Sequence, residues 1–141
     1  MKTRQFVRTA AALLAIGAAA GCEDLIVGGG SEVTGLSIET AAGTPLVSVS
    51  GSQVDGAVQV PVAGQRSLVV VLRGPGGVVT PSLTETVRVT VTNPGVAAWE
   101  DGGGGAGVLR GVSTGTTSMR VDLLRNASAI YTSPSIPVQV N

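Results

Sequence analysis

The sequence contains no histidine and a single cysteine, Cys22, and these two absences exclude whole classes of site. Without histidine, Ser-His-Asp and Cys-His catalysis, a histidine general base and an imidazole metal ligand are impossible. One cysteine can form neither an internal disulfide nor a thiolate zinc site. The acidic residues remain as candidates and are weighed below; taking them into account, we predict a protein that is not an enzyme, has no catalytic residue and binds no cofactor or metal.

Lysine and aromatic residues are nearly absent as well. Lys2 is the only lysine, and Phe6, Trp99 and Tyr131 are the only aromatic residues among 141 positions, a length that suits one domain. Nucleic-acid binding needs a basic stripe or aromatic platforms on which bases stack. Because the chain has neither, we predict that nucleic acid is not a partner.

The N-terminus has the composition of a secretory signal. Lys2, Arg4 and Arg8 form a basic region without acidic residues, and an apolar run of eleven residues follows at 10–20. This order of regions is typical of a signal peptide. The run is too short for a transmembrane helix, which needs roughly 20 residues. Removing residues 1–21 leaves six arginines against nine acidic residues, a net charge of −3.

The segment Ala19-Ala20-Gly21-Cys22 resembles the lipobox of bacterial lipoproteins, although that family usually has leucine at the position of Ala19. The resemblance implies cleavage between Gly21 and Cys22, with a diacylglyceryl thioether on Cys22. We thus expect a cleaved signal peptide at 1–21 and a membrane anchor on Cys22, with the domain outside the cytoplasm. The alternative is an ordinary signal peptide followed by a chance cysteine.

A lipidated cysteine with a glycine-rich tether is predicted at 22–32. The segment Gly28-Gly29-Gly30-Ser31 has the composition of a flexible linker. Two acyl chains anchor a protein stably, whereas one gives only marginal binding. We expect a domain held close to an envelope membrane, and the acidic residues after the anchor leave the choice between inner and outer membrane open.

From Val33 onward, apolar and polar residues alternate in short runs, as in half-buried β-strands. The alternating apolar positions are Leu36 and Ile38; Val87, Val89 and Val91; Met119, Val121 and Leu123; and Ile136, Val138 and Val140. Turn-forming residues separate these runs. We therefore predict an all-β fold at 33–141, a β-sandwich of about seven to nine short strands.

Four further patterns refine this prediction. Segment 68–72 is apolar throughout, which is typical of a strand covered on both sides or placed at an interface. Pro137 lacks the amide hydrogen that a β-ladder needs, so we expect a sheet edge there. Trp99 is interpreted as a residue at the core or its margin, or as a stacking surface for a ligand. Residues 40–59 are expected to form an extra hairpin with arms at 46–49 and 58–60.

The second half of the domain resembles the group 2 bacterial immunoglobulin-like family of intimin- and invasin-like adhesins. The resemblance is carried by the segments 60–72, 93–98, 107–117 and 136–140, of which Gly107 to Thr116 is the most specific. It implies an immunoglobulin-like sandwich and a role in adhesion. Three features depart from the family: Trp99 follows the Asn-Pro turn, segment 40–59 is longer, and only one copy of the domain is present.

Few residues are candidates for chemistry. The glycine-rich segment Asp101–Gly107 could cradle a phosphate, but it lacks the lysine of a P-loop, so a hairpin loop is favoured. Glu100 and Asp101 could bind calcium, although they supply too few of the six to eight oxygen ligands. Paired carboxylates can hydrolyse glycosides, with Glu85, Glu100, Asp101 and Asp122 available, but a small sandwich without aromatic subsites argues against this reaction. Asn126-Ala127-Ser128 fits a glycosylation acceptor, and the exposed arginines Arg110, Arg120 and Arg125 are interpreted as solubilising charge.

Two hypotheses about function remain. The first is a non-enzymatic, membrane-anchored envelope lipoprotein whose immunoglobulin-like domain contacts a protein or a cell-surface polysaccharide. The second is an accessory lipoprotein subunit of a larger envelope or secretion complex, docked through segment 68–72. An exposed apolar patch at that segment would favour the second hypothesis.

Overall fold

The computed structural model describes residues 32–141, which form two β-sheets packed face to face and contain no helix. Within this range, no helix is therefore long and apolar enough to cross a membrane. The predicted signal peptide at 1–21, the cleavage between Gly21 and Cys22, the lipidation of Cys22 and nearly all of the tether at 22–32 lie outside the described residues.

Twelve strands make up this part of the chain. They are β1 (Gly35–Thr40), β2 (Pro45–Ser50), β3 (Gln53–Gly56), β4 (Val58–Val60), β5 (Gln65–Gly74), β6 (Gly77–Val79), β7 (Glu85–Val91), β8 (Ala97–Gly103), β9 (Ala106–Gly111), β10 (Gly115–Arg125), β11 (Ser128–Thr132) and β12 (Ile136–Val140). The first sheet has the order β3-β2-β1-β5-β9-β8, with β6 also paired to β5. The second has the order β11-β10-β12-β4, with β7 paired to β10.

Seven of these strands follow the immunoglobulin order. If β1, β5, β7, β8, β9, β10 and β12 are read as strands A to G, one sheet contains A-B-E-D and the other contains C-F-G. This is the arrangement of the constant-type immunoglobulin sandwich. The predicted all-β, immunoglobulin-like sandwich is confirmed, but the predicted count of seven to nine strands is too low, because five short strands add to the seven of the framework.

The core lies between the sheets and consists of aliphatic side chains from both. The alternation predicted from the sequence is confirmed, since Leu36, Ile38, Met119, Val121 and Leu123 are fully buried. The last strand follows the same rule, with Ile136, Val138 and Val140 buried and Pro137 and Gln139 exposed. Valine and threonine suit this pattern because branching at Cβ fits a pleated, half-buried surface.

The predicted hairpin at 40–59 is wrong in one of its arms. β2 pairs with β3, so the hairpin is closed by residues 53–56. Segment 58–60 instead crosses to the other sheet, where β4 runs parallel to β12. The sheet edge expected at Pro137 is present only at the start of β12. The ladder with β4 begins at Val138, so Pro137 is paired on one side alone, whereas the rest of β12 from Val138 onward has a strand on both sides.

Two other expectations changed in detail. Segment 68–72 is not covered equally on both sides, because Leu68, Val70 and Leu72 face the core while Val69 and Val71 are half-buried on the outer face. The glycine-rich segment 101–107 is mostly strand, and only its middle forms the turn between β8 and β9. Gly103, Gly104 and Gly105 all have positive φ, between 61° and 88°, which explains why glycine occupies this turn.

The two ends of the sandwich differ in their relation to the N-terminus. Glu32 lies beside the end of β5, since a Cβ on Gly74 would collide with the Glu32 carbonyl oxygen. We call this the entry end; the antiparallel register also places there the connection 80–84 and the turns 103–105 and 126–127. The C-terminal Asn141 pairs with Val62 at the opposite end, which we call the far end.

Candidate ligand-binding cleft

A polar cleft lies on the outer face of the second sheet, between β7 and β10. Its volume is about 280 Å³, and it is lined by Arg88, Thr90, Thr92, Arg120 and Asp122. The antiparallel register sets Arg88 opposite Asp122 and Thr90 opposite Arg120. Because side chains alternate along a strand, the valines between these residues face inward and leave the polar set together on one surface.

The side chain of Asp122 is held in place within the cleft by two hydrogen bonds. Its carboxylate is nearly buried, and Arg88 donates a hydrogen bond to Oδ2 at 3.0 Å while Thr132 Oγ1 donates to Oδ1 at 2.8 Å. Both carboxylate oxygens are thus engaged. Asp122 therefore orients the Arg88 guanidinium and does not stand free as an acid or base.

Arg120 supplies an uncompensated positive charge. Four of the six arginines in residues 32–141 form ion pairs, namely Arg73, Arg88, Arg110 and Arg125. Arg120 is exposed and has no ion-pair partner within that range. Because Asp122 is already paired with Arg88, the cleft contains two guanidinium groups and one engaged carboxylate, which leaves it net positive.

Hydroxyl groups complete the surface. Thr90 and Thr92 line the cleft, and Thr92 Oγ1 lies 2.9 Å from Ser118 Oγ on β10. Guanidinium groups bind carboxylates in a planar, two-pronged geometry, and hydroxyls both donate and accept hydrogen bonds. The arrangement suits a ligand that carries acidic groups and hydroxyls together.

The predicted carboxylate sites are not brought together. Glu85 faces the interior at the entry end with 0% of its side chain exposed, and its Oε1 accepts a hydrogen bond from Arg125 at 2.7 Å. Asp122 lies on the opposite face of the same sheet. Glu100 pairs with Arg110 at 2.8 Å on the first sheet, and Asp101 Oδ1 accepts from the amide of Gly103. Residues 32–141 hold no group of three or more acidic or thiol residues placed to bind a metal.

The interpretation of three arginines as solubilising charge holds only in part. Arg110 is exposed and paired at the surface, which fits it. For Arg125 the interpretation is wrong, since only 33% of its side chain is exposed and it forms an ion pair with the buried Glu85. Removing one partner of such a pair leaves an uncompensated buried charge. Arg120 lines the cleft.

Trp99 packs at the margin of the core, as one of its two interpretations predicts. Its ring covers Gly107, where a Cβ would collide with Cζ2 of the indole. The buried indole Nε1 has no hydrogen-bond partner in the described part of the chain. The turn Asn126-Ala127-Ser128 is exposed between β10 and β11, and both Asn126 and Ala127 have positive φ.

Tyr131 is the second aromatic residue of the domain and packs against the core from β11. Its hydroxyl is buried and also has no partner among residues 32–141. Burial raises the pKa of Tyr131 above its usual value, because desolvation disfavours the phenolate.

A second, apolar depression of about 170 Å³ opens at the seam between the sheets near the entry end. We call it the seam pocket; it is lined by residues of β5, β6 and β7 together with the connection 80–84, including Val71, Val79, Pro81 and Val87. It bears no charged residue.

Sequence reasoning missed Arg88, Thr90 and Thr92 as members of a cleft. Their alternation along β7 is visible in the sequence, but a polar face of a strand ordinarily indicates only solvent. The missing information was the pairing of β7 with β10, which joins two segments about thirty residues apart.

The comparisons with known proteins provide little beyond this geometry. No family model matches the sequence, and the search of curated proteins found no match. A crystal structure of domains 4 and 5 of the S-layer protein SbsC is similar, with 16% sequence identity, a TM-score of 0.47, and coverage of 74% of this chain and 75% of that chain. Likeness at this level supports no inference about function, so the resemblance to the group 2 immunoglobulin-like family stays a prediction and the fold assignment rests on the strand order.

Proposed function

We propose that this chain is a lipid-anchored envelope lipoprotein whose immunoglobulin-like domain is a non-enzymatic binding module outside the cytoplasm. The observation that carries the proposal is the position of the only cysteine, Cys22, directly after a signal-like segment that ends in Ala19-Ala20-Gly21. A chain with one cysteine has it at the one place where lipoprotein processing requires it. Two or more acyl chains on this residue would hold the domain stably at a membrane.

The cleft supports contact with a polysaccharide that carries acidic groups. Arg88 and Arg120 supply charge for carboxylates, and the hydroxyls of Thr90 and Thr92 match those of sugars. The alternative role as a docked subunit has less support. That hypothesis predicts an exposed apolar patch on segment 68–72, but only Val69 and Val71 face outward there, and both are half-buried.

The anchor is tested by mass spectrometry of the N-terminal peptide from the membrane fraction. We expect a peptide that begins at Cys22 and carries the mass of acyl chains. Cys22→Ala should abolish both the lipid mass and recovery of the chain in that fraction. A peptide that starts elsewhere, or an unmodified Cys22, would contradict the proposed anchor.

The cleft is tested separately, with the full chain purified from membranes and two soluble polymers as probes. We expect polygalacturonate to bind and neutral dextran to bind much more weakly. Arg120→Gln should weaken the binding of polygalacturonate about tenfold, since a hydrogen bond to a charged group contributes about 1.5 kcal/mol or more. Arg110→Gln, on the other sheet, is the matched control and should bind as the wild type does. Equal binding by both variants would reject the cleft while leaving the anchor untouched.

A further inference from the structure

The entry end of the sandwich presents aliphatic side chains to solvent beside the point where the chain leaves the domain. Leu83 is fully exposed and Val78 is 65% exposed. Both belong to the connection 74–84 between β5 and β7, in which eleven successive residues carry no charge. Exposed aliphatic residues at the tip of an uncharged connection are costly in water and suited to an apolar environment.

The seam pocket adds to this apolar character. Val79 and Pro81 line it from the same connection, and Val71 and Val87 line it from β5 and β7. Val79 also lies next to the place where Glu32 approaches Gly74, since a Cβ on Gly74 would contact Val79 Cγ2 at 2.9 Å. The pocket, the protruding residues and the start of the domain are therefore neighbours.

The length of the N-terminal connection limits how far this end can be from the anchor. Glu32 lies ten positions after Cys22, with nine residues between them. Such a segment spans at most about 35 Å, even when fully extended. An anchor on Cys22 would thus keep the entry end within about 35 Å of the lipid.

We propose that the entry end rests on the lipid surface, with Leu83 and Val78 placed in the boundary between headgroups and acyl chains. This inference rests on the proposed anchor at Cys22. Amphipathic helices that lie in this boundary bury their apolar faces to a depth of roughly 5–10 Å. The far end, with Val62 and Val112, then points away from the membrane, and the polar cleft on the side of the sandwich stays open to solvent.

A lipid surface fits these residues better than a protein partner does. Specific protein interfaces bury about 800 Å² on each partner and need a broad complementary surface. Here the exposed aliphatic groups are two side chains on one narrow connection, and the anchor would already hold them within reach of lipid. Protruding side chains of this kind need only a fluid, deformable apolar phase.

The test uses the lipidated full chain reconstituted in vesicles of phosphatidylethanolamine and phosphatidylglycerol. A polarity-sensitive dye is attached through Leu83→Cys in one sample and through Val112→Cys in the matched control at the far end. Because acylation blocks the sulfur of Cys22, only the introduced thiol reacts. We expect a quencher on the lipid acyl chains to reduce the emission at position 83 severalfold and to leave position 112 nearly unchanged. With the dye at Val78→Cys, the added change Leu83→Ser should reduce the quenching.

Flotation of the vesicles separates failure of this inference from failure of the anchor. A chain that floats but shows equal quenching at both positions overturns the proposed orientation alone. A chain that does not float overturns the anchor and the orientation with it. Dye emission at position 83 that is already shielded without lipid, and that depends on protein concentration, would assign this end to a second copy. Shielding without lipid that Leu25→Ser removes would assign it to the chain's own N-terminal segment.

Discussion

At the residue scale, the indole ring of Trp99 packs against Gly107 at the margin of the core. The ring occupies the space that a side chain at position 107 would need. A Cβ there would also approach the Glu100 carbonyl oxygen to 2.5 Å. We predict that Gly107→Ala lowers the free energy of unfolding by about 1–3 kcal/mol, because backbone and ring must shift to admit one methyl group. Urea unfolding measures the change. Gly76→Ala is the matched control, as nothing lies within 4 Å of its Cβ. An equal loss in both variants would show that the contact is not tight.

Tyr131 makes stability depend on alkaline pH. Its pKa is raised in the folded state, so the unfolded chain releases the phenolic proton first as pH rises. The stabilisation is complete below the ordinary tyrosine pKa of about 10 and declines as pH rises through the folded value. The chain from Cys22 onward has no lysine, histidine or second tyrosine, so none of these groups adds to the dependence of stability on alkaline pH.

Comparison of wild type and Tyr131→Phe by urea unfolding on both sides of this pH tests the effect. We expect the wild type to lose stability at high pH and the variant to lose less. Near neutral pH the variant should be about as stable or slightly more so, because the buried hydroxyl that it removes has no partner in the described part of the chain. A parallel decline in both proteins would contradict the assignment to Tyr131.

At the scale of elements, the sequence predicted what depends on local alternation and missed what depends on distant pairing. The runs that became β1, β7, β10 and β12 have a period of two in sequence, and their apolar positions face the core, although Ser37 in β1 and Asp122 in β10 are buried as well. The position of β4 could not be predicted, because three residues pair with β12 eighty positions later. The cleft was missed for the same reason, since it exists only where β7 and β10 lie side by side.

A substitution in the hairpin of β2 and β3 tests whether segment 40–59 is part of the core. Val47 and Val49 are almost fully buried in the cluster that joins the sheets. We predict that Val49→Ala lowers the free energy of unfolding by about 1.5–3 kcal/mol, through lost burial and the cavity left behind. Val112→Ala, at an exposed valine, should change it by less than about 0.5 kcal/mol. A negligible effect at Val49 would mean that the insertion is attached loosely.

At the scale of the whole molecule, one core holds both sheets, and within residues 32–141 neither sheet has a hydrophobic cluster of its own. Buried residues from β1, β5 and β9 meet those from β10 and β12 in a single cluster. Small domains with one core usually unfold in one cooperative step. The sheets should therefore lose their structure together. The pairs β1–β5 and β4–β12 also join distant parts of the chain.

The two aromatic residues of the domain allow a direct test of this cooperativity. Trp99 lies on β8 at the edge of the first sheet, and Tyr131 lies on β11 at the edge of the second. We predict the same urea midpoint from Trp99 emission and from the near-ultraviolet signal of Tyr131, because each ring packs on the shared core. Trp99→Phe, with Tyr131 as its only remaining probe, controls for overlap of the two signals. Separate midpoints would contradict a single core, and the order of the transitions would identify the sheet that unfolds first.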